Sequence, residues 1–567
     1  MNFPKITFKN IIKTSIEVVS LRELTHRRSF CLHLFLTGLL LTLSILQSNA
    51  QSNCVSGCNE NAYLYSTVPN TLEYDNMVAL FHTTMIKEAN GDFKIWGQAA
   101  ASNGTGNVLS PTVVKPSNGY SYSGTPLKMT GGSTGAASAA TQMALLTTEG
   151  LYIWGTTNHL VSTNIKNSTA IGTSPVSIGT SGVSNGTNPN YAKGLPYGVD
   201  PGQVKMLFGS YRTLAIVTCT GEVWVLSYNG NKNGDGTGTS GDNNYVWHKV
   251  FTSTTNNGST KGAELSNVVA VRGTPNALFA LTADGKLYTW GSGTYINNGA
   301  AANRTYATEI DISALSPAVT PKMIGMTQNE ANQSYYLLAT DGRLFTMGNN
   351  GQRQLGDFTT TNRNTWVQAK KSEFDDIVWI SPNEHDDYGI AAINVLKSSD
   401  KKLWAWGNND GNMIGGATNG SNYDPMEMPG TGTGPNDMKV TDNIVAVETG
   451  GHITLNLKEC SQKYGYVGHK TNGSMGDGTS GSGNPNTYSY STAVVVVCGA
   501  AVAPAIVDNM ETCPGTTVNL YDAQLAAAPP GYEIKWYTDE AGTVEVDDPL
   551  TAGAGTYYAF YESISGG

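Results

Sequence analysis

Charge is scarce in this chain. Only 14% of its 567 residues are Asp, Glu, Lys or Arg, against about 25% in an ordinary soluble protein. What charge there is leans acidic, with 34 basic against 44 acidic side chains and a formal net charge of −10. No Lys/Arg block follows the first 30 residues. Nucleic-acid binders draw much of their affinity from basic contacts to phosphate, so no DNA or RNA partner is expected. Long apolar runs are missing too: beyond residue 50 none reaches the roughly 20 residues of a membrane-spanning helix. Cysteines number seven, and Cys54 and Cys58 have no second ligand pair nearby, which argues against a zinc-finger-type site. Glycine, by contrast, contributes 65 residues. Together with Ser, Thr and Asn it points to many short strands joined by turns, not to helices.

The first 50 residues differ from the rest. Lys5, Lys9, Lys13, Arg22, Arg27 and Arg28 precede an apolar run from Cys31 to Leu46, and Ser48-Asn49-Ala50 supplies the small residues a signal peptidase reads. Residues 1–50 therefore read as a signal peptide cleaved before Gln51, and export to the outside or the outer cell surface is expected. Residues 51–75 form an N-terminal extension. An oxidising destination makes disulfides plausible. Cys54, Cys58, Cys460 and Cys498 are the candidates, with Cys54 and Cys58 closing a tiny loop or one of them tied to Cys498; spacing leaves the connectivity open.

From residue 76 onward one segment recurs. It reads GDFKIWG at 91–97, EGLYIWG at 149–155, GEVWVLS at 221–227, GKLYTWG at 285–291, GRLFTMG at 342–348, KKLWAWG at 401–407 and KYGYVGH at 463–469. The residues at the marker position are Trp96, Trp154, Leu226, Trp290, Met347, Trp406 and Val467; the first and last lie 371 residues apart, about 62 per repeat. Each unit has the same grammar. A Gly such as Gly285 opens a tight hairpin, and the residues after it alternate faces. An apolar strand such as Ala277–Leu281 precedes the turn, another such as Val268–Gly273 lies further upstream, and a β-branched stretch such as Pro111–Val114 follows the marker. Four strands per unit and seven units describe a seven-bladed β-propeller over residues 76–499. The run Thr492–Val497 is expected to join the N-terminal blade, so that no sheet edge stays open.

The segment 348–357, GNNGQRQLGD, together with GNNDGNMIG at 407–415 and GHITL at 451–455, resembles the regulator-of-chromosome-condensation (RCC1) repeat family. The resemblance covers roughly residues 76–498 and is weakest in the third unit, where Trp-Gly has become Leu226-Ser227. It implies a rigid ring of blades whose repeat histidines, near His82 and His452, make structural hydrogen bonds within a blade, and whose marker tryptophans pack blade against blade.

Residues 500–567 leave the repeat. Strands are expected at 513–520, at 532–537 around Trp536 and at 555–561. Their Cys-Trp-Tyr order resembles an immunoglobulin-like β-sandwich, although Ala559 stands where the second Cys would be. The segment is short for such a module, so a partial or short sandwich is expected. It is similar to modules of bacterial cell-surface and gliding-motility-associated proteins.

Candidate chemistry is thin. GVSNG at 182–186 fits a nucleophile-elbow pattern but has neither the strand before nor the helix after that the elbow needs. The Gly-x-Gly-x-x-Gly matches at 236–241 and 476–481 fall in turns. Asn229–Gly236 is similar to a calcium loop, with Asn first and Ser240 where the bidentate Glu belongs. Glu384-His385-Asp386-Asp387 is the densest ionisable cluster after residue 50, read as a polar inter-strand loop. No catalytic set, cofactor or metal is expected. The expected function is recognition of a protein or glycan by loops on one propeller face, in a monomer. Tyr245, Trp247 and His248 in the insertion around 229–248, and the insertion after Gly155, are the candidate contact residues. Alternatives are a secreted hydrolase or lyase, a structural envelope protein, and an exchange factor of the RCC1 kind. The signal peptide and the acidic balance oppose the last.

Overall fold

A computed structural model describes residues 5–7, 506, 517–525, 532–539 and 544–563, and residues 77–493 apart from 89–90, 136–140, 156–175, 178–193, 197, 229, 239–246, 297–300, 371–372, 387–388, 417, 429–431 and 459–462. The chain divides into two compact units, Ile45–Val497 in one and Met1–Ser44 with Cys498–Gly567 in the other.

The larger unit is an all-β, seven-bladed propeller. Blade 1 is Met77–Ala79, Thr83–Lys87, Phe93–Gly97 and Val108–Val113; blade 2 is Pro126–Ser133, Thr141–Thr147, Gly150–Gly155 and Val176–Ser177. Blade 3 is Val204–Ser210, Thr213–Thr218, Val223–Ser227 and His248–Lys249; blade 4 is Val268–Gly273, Ala277–Thr282, Leu287–Thr294 and Ala302–Ile310. Blade 5 is Pro321–Asn329, Asn332–Ala339, Leu344–Gly348 and Arg363–Gln368; blade 6 is Ile377–Pro382, Ala392–Lys397, Leu403–Asn408 and Asn422–Glu427. Blade 7 is Ile444–Thr449, Ile453–Lys458, Lys463–Gly468 and Ser489–Ala493. Blade 4 is widened by Phe251–Ser253 and Lys261–Glu264, the former pairing parallel through Thr252 and Ala307. Second strands such as Thr141–Thr147 and Ala277–Thr282 are buried along their whole length, as expected of a sheet covered on both faces by neighbouring blades.

All seven marker residues lie on third strands, and all are buried. After six of them comes the marker Gly, held at positive φ between +101° and +124°. This conformation lets the next amide double back on the second strand: Asn408 N–H donates to Ala391 O at 2.9 Å, and His469 N–H to His452 O at 2.8 Å. A Cβ on Gly407 would lie 2.2 Å from that same Ala391 oxygen, so the Gly is needed for space and for φ. Blade 3 solves the corner differently, with Ser227 Oγ paired to Thr213 Oγ1 at 2.8 Å.

Ring closure differs from expectation. Ser489–Ala493 pairs with the third strand of its own repeat (Lys463 with Ala493, Tyr464 with Thr492), and blade 1 draws its four strands from residues 77–113 alone. Among the described residues each repeat is therefore one whole blade, and no strand crosses the seam between blades 7 and 1. Residues 494–497 lie outside the described residues. At the seam Gly451 N–H donates to Leu80 O at 3.1 Å, and a Cβ on Gly450 would meet the same oxygen at 2.3 Å.

In the smaller unit Tyr532–Tyr537 and Thr556–Ser563 pair antiparallel, and Lys5–Thr7 adds to the far edge of the second. Bridges join Ile506 to Gln524 and Val518 to Ala552. Trp536 is fully buried among Ile506, Leu520, Ile534 and Ala559. The strands expected at 532–537 and 555–561 are present, while the first contributes only the Val518 bridge before a short 3-10 turn at Leu520–Ala523. Among the described residues this is one three-stranded sheet over a small core, not a pair of packed sheets. No helix of the described residues is long and apolar enough to cross a membrane.

Candidate functional site

Within a blade, the turn from first to second strand and the loop from third to fourth open on the same face, because strand two begins opposite the end of strand three (Thr83 pairs with Gly97). Among the described residues, the third-to-fourth-strand loops of blades 5, 6 and 7 and the described part of the insertion after Ser227 lie on this face; most of the insertion after Gly155 lies outside the described residues.

The loops are shaped from within. In GNNGQRQLGD, the Asn350 carboxamide accepts from Leu355 N–H at 3.0 Å and donates to Asp357 Oδ1 at 2.9 Å. Asn409 in blade 6 accepts from Ile414 N–H at 2.8 Å in the same way. The loop then presents a carbonyl to the next blade: Trp406 Nε1 donates to Gln354 O at 2.9 Å, Trp290 Nε1 to Lys232 O at 2.7 Å, and Trp96 Nε1 to Ser474 O at 3.0 Å. The motif residues thus serve architecture, and the tryptophans pack blade to blade as expected.

Glu384-His385-Asp386 occupies a special place. The first-to-second-strand loop of blade 6 reaches across the ring: Glu384 Oε2 accepts from Arg272 Nε of blade 4 at 2.6 Å, and Glu384 Oε1 from Met326 N–H of blade 5 at 2.7 Å. His385 Nδ1 donates to Gly209 O of blade 3, and its carbonyl accepts from Ser133 N–H of blade 2 at 2.9 Å. Glu448 Oε1 of blade 7 stands 3.7 Å from His385 Nε2. A loop that touches blades 2, 3, 4, 5 and 7 from blade 6 must lie on the ring axis. All three residues are buried, so this loop is an axial plug, with Glu384 bound to Arg272 and Met326 and His385 Nδ1 to Gly209. Asp387 lies outside the described residues.

A second cluster sits at the seam. His82 follows the first strand of blade 1, while His452 and His469 come from the corresponding turn and the third-to-fourth-strand loop of blade 7. His82 Nε2 is 3.0 Å from His469 Nδ1 and 3.3 Å from His452 Nδ1. His82 Nδ1 donates to Gln98 Oε1 at 2.7 Å. His452 Nε2 lies 3.3 Å from Asp410 Oδ2 of blade 6. Phe81 covers one side, its ring centre 4.0 Å from that of His452 and 4.3 Å from that of His82. Burial, opposed by the Gln98 hydrogen bond and helped by the two neighbouring imidazoles, holds His82 down to about 3. Burial and His452 also lower His469. His82 keeps the expected within-blade bond, to Gln98, and His82 and His452 also meet across the seam, where His469 joins them; its place directly after the marker Gly was the available signal.

Beside this cluster, an open groove of about 590 Å³ runs between the third-to-fourth-strand loops of blades 6 and 7, lined by Asn412, Gly416, Thr418, Asn419, Tyr423, Met426 and Asn486. Three of its seven lining residues are asparagines, and it was not legible beforehand because its two walls are 60 or more residues apart.

The candidate contact residues fare unevenly. Trp247 is 5% exposed, packs in the core beside Leu195 and Val199, and donates its indole N–H to Gly194 O at 2.9 Å. It is a core residue, not an exposed anchor, because its ring is needed to cover the blade 2–blade 3 interior. His248 is half-buried, and its Nδ1 lies 2.6 Å from Asp235 Oδ2. Asp235 also accepts from Thr237 N–H at 3.0 Å. Burial works against the Asp235 carboxylate, but hydrogen bonds from His248 and Thr237 outweigh it and hold the group down to about 2. The only carboxylate of the calcium-like stretch thus points at His248. Tyr245, residues 182–186 and Cys54, Cys58, Cys460 and Cys498 lie outside the described residues. Cys219 is disulfide-bonded, a residue the spacing did not single out.

This geometry defines an all-β seven-bladed propeller with a plugged axis and one loop-rich face. No protein-family model and no curated protein matches the chain. Among solved structures it is similar to human WBSCR16 (15% identity over 67% of this chain and 84% of that one, TM-score 0.47). It is also similar to yeast RCC1 (Prp20) in its complex with Kap60 (13% identity, 75% and 88% covered, TM-score 0.47). A third is Prp20p of Saccharomyces cerevisiae, described with its binding to Gsp1p and histones (14% identity, 67% and 81% covered, TM-score 0.45).

Proposed function

We propose that this chain is an exported binding protein, a propeller of the RCC1 repeat type that recognises a protein or glycan through its loop-rich face and carries an Ig-like module as a C-terminal spacer. The groove between blades 6 and 7 is the observation that carries this reading. Asn419 and Asn486 bring carboxamide donors and acceptors to its lining, beside Tyr423 and Met426. That mixture suits sugar hydroxyls set around a weakly apolar ring face, or a polar peptide loop. A binding role rather than an enzymatic one is favoured because the axial Glu384 is paired with Arg272 and all of Glu384, His385 and Asp386 are buried away from a substrate. Export rests on the basic-then-apolar N-terminus.

The test is a glycan array and a panel of surface proteins probed with the purified chain, wild type against Tyr423→Ala/Asn486→Ala. The reading expects a ligand class whose affinity falls at least 10-fold in the variant at an unchanged melting midpoint. Ligands bound equally by both proteins would move the site elsewhere, and a catalytic product from the same panel would overturn the reading.

A further inference from the structure

Three imidazoles reach the seam from chain positions 370 and 387 residues apart, and the groups behind them set their protonation. A neutral imidazole carries one N–H. Gln98 Oε1 takes that proton on Nδ1 of His82, so His82 turns its Nε2 lone pair inward. That one lone pair faces two ring nitrogens, His469 Nδ1 at 3.0 Å and His452 Nδ1 at 3.3 Å. A single lone pair makes one in-line hydrogen bond, whereas a cation among the three nitrogens takes a lone pair from each.

The spacing is also that of a coordination edge. Tetrahedral ligands at the Zn–N distance of about 2.0–2.1 Å are separated by about 3.3–3.4 Å. All three rings offer a nitrogen within 4.8 Å of the others. The outer partners are those that orient metal-bound histidines, a carboxylate on one ring and a carbonyl oxygen on another. We propose that His82, His452 and His469 bind a late first-row divalent metal ion, Zn2+ foremost, across the seam of blades 1 and 7. Three imidazoles select Zn2+, Cu2+ or Ni2+ over Mg2+ or Ca2+, which prefer all-oxygen shells.

The consequence is structural as well. Among the described residues no strand crosses this seam, which is held by the Trp96–Ser474 bond, the Gly451–Leu80 amide bond and packing. A metal with one ligand on blade 1 and two on blade 7 staples the first blade to the last. An ion that binds only the closed ring raises its stability in proportion to the logarithm of its concentration over Kd.

The experiment uses the full untagged chain, stripped with chelator and titrated with Zn2+ by calorimetry, with melting midpoints taken alongside. One Zn2+ per chain, with Kd at or below the micromolar range, and a midpoint raised by several degrees are expected. His469→Ala is expected to weaken binding at least 100-fold while the metal-free midpoint stays within a few degrees of wild type. Gln98→Leu is expected to weaken it about 10–100-fold. If His469→Ala fails to fold, Co2+ loaded into the wild type decides: visible bands of a tetrahedral nitrogen/oxygen site support the proposal. Thiolate charge-transfer bands, unchanged binding in His469→Ala, or no stoichiometric binding would overturn it.

Discussion

The indole nitrogen of Trp96 donates to the carbonyl oxygen of Ser474, 378 residues further along the chain. The same bond, from a marker Trp to the loop of the preceding blade, joins Trp290 to Lys232 and Trp406 to Gln354. One local sequence device thus makes both the interior joints and the closure of the ring. Trp96→Phe removes the donor, shrinks a fully buried ring and leaves a buried carbonyl without that donor, at a cost of about 2–4 kcal/mol. Trp406→Phe is expected to cost a similar amount. The two should differ in hydrogen exchange: Trp96→Phe speeds exchange of the seam amides, Gly451 among them, while Trp406→Phe leaves those amides protected. Equal protection at the seam in both variants would mean that the bond adds nothing to closure.

Marker glycines and Ser227 answer the same corner in two ways. Gly407→Ala puts a Cβ at 2.2 Å from Ala391 O at a φ of +101°, and a loss of roughly 2–4 kcal/mol is expected. Ser227→Gly, which restores the repeat pattern, is expected to destabilise by about 1 kcal/mol, because it deletes the Thr213 hydroxyl contact and adds backbone freedom. Denaturant midpoints of the two variants check both. A stabilised Ser227→Gly would mean that the pattern, not the local hydrogen bond, sets the preference.

The axial plug turns on Arg272 and Glu384, each 5% exposed or less at the side chain. Removing the cation alone strands a buried carboxylate, so Arg272→Ala is expected to cost about 3–5 kcal/mol. The double variant Arg272→Met/Glu384→Leu should recover much of that loss, since replacing both charges by apolar groups removes the desolvation cost together with the attraction. A double variant no more stable than Arg272→Ala alone would show that the Glu384 bond to Met326 N–H, and not the ion pair, holds the loop.

Blade identity was legible because each unit's evidence is local. The marker residue, the Gly after it and the strand before it lie within about 20 residues, and alternation and turn chemistry act over that range. Features assembled by ring closure were not. Glu384 meets Arg272 across 112 residues, and His385 meets Gly209 across 176, so the cluster reads as an ordinary polar loop until the ring places it on the axis. The strand exchange was misjudged for a related reason: the run Thr492–Val497 looks like a spare strand in sequence, whereas its first two residues pair with Tyr464 and Lys463 of their own repeat. Trp247 was misplaced because an aromatic in a Gly- and Asn-rich insertion resembles a surface anchor, whereas here it fills the space beside Leu195 and Val199.

Asp235 supplies a pH signature. Its carboxyl is held down to about 2 from an ordinary value of 3.8. A depressed folded-state value means that the unfolded chain takes up the proton first as pH falls. The stabilisation is therefore complete above about pH 4, fades between about 4 and 2, and is gone below that. One pKa unit corresponds to about 1.4 kcal/mol, so the contribution amounts to about 2 kcal/mol, and the side chain is 21% exposed, buried enough for most of it to survive solvent screening. Asp235→Asn keeps the shape but loses the charge that accepts from His248 and Thr237. Its melting midpoint should lie below wild type above pH 5 and meet it near pH 2. Curves that run parallel across this range would show that Asp235 is held equally well in the unfolded chain.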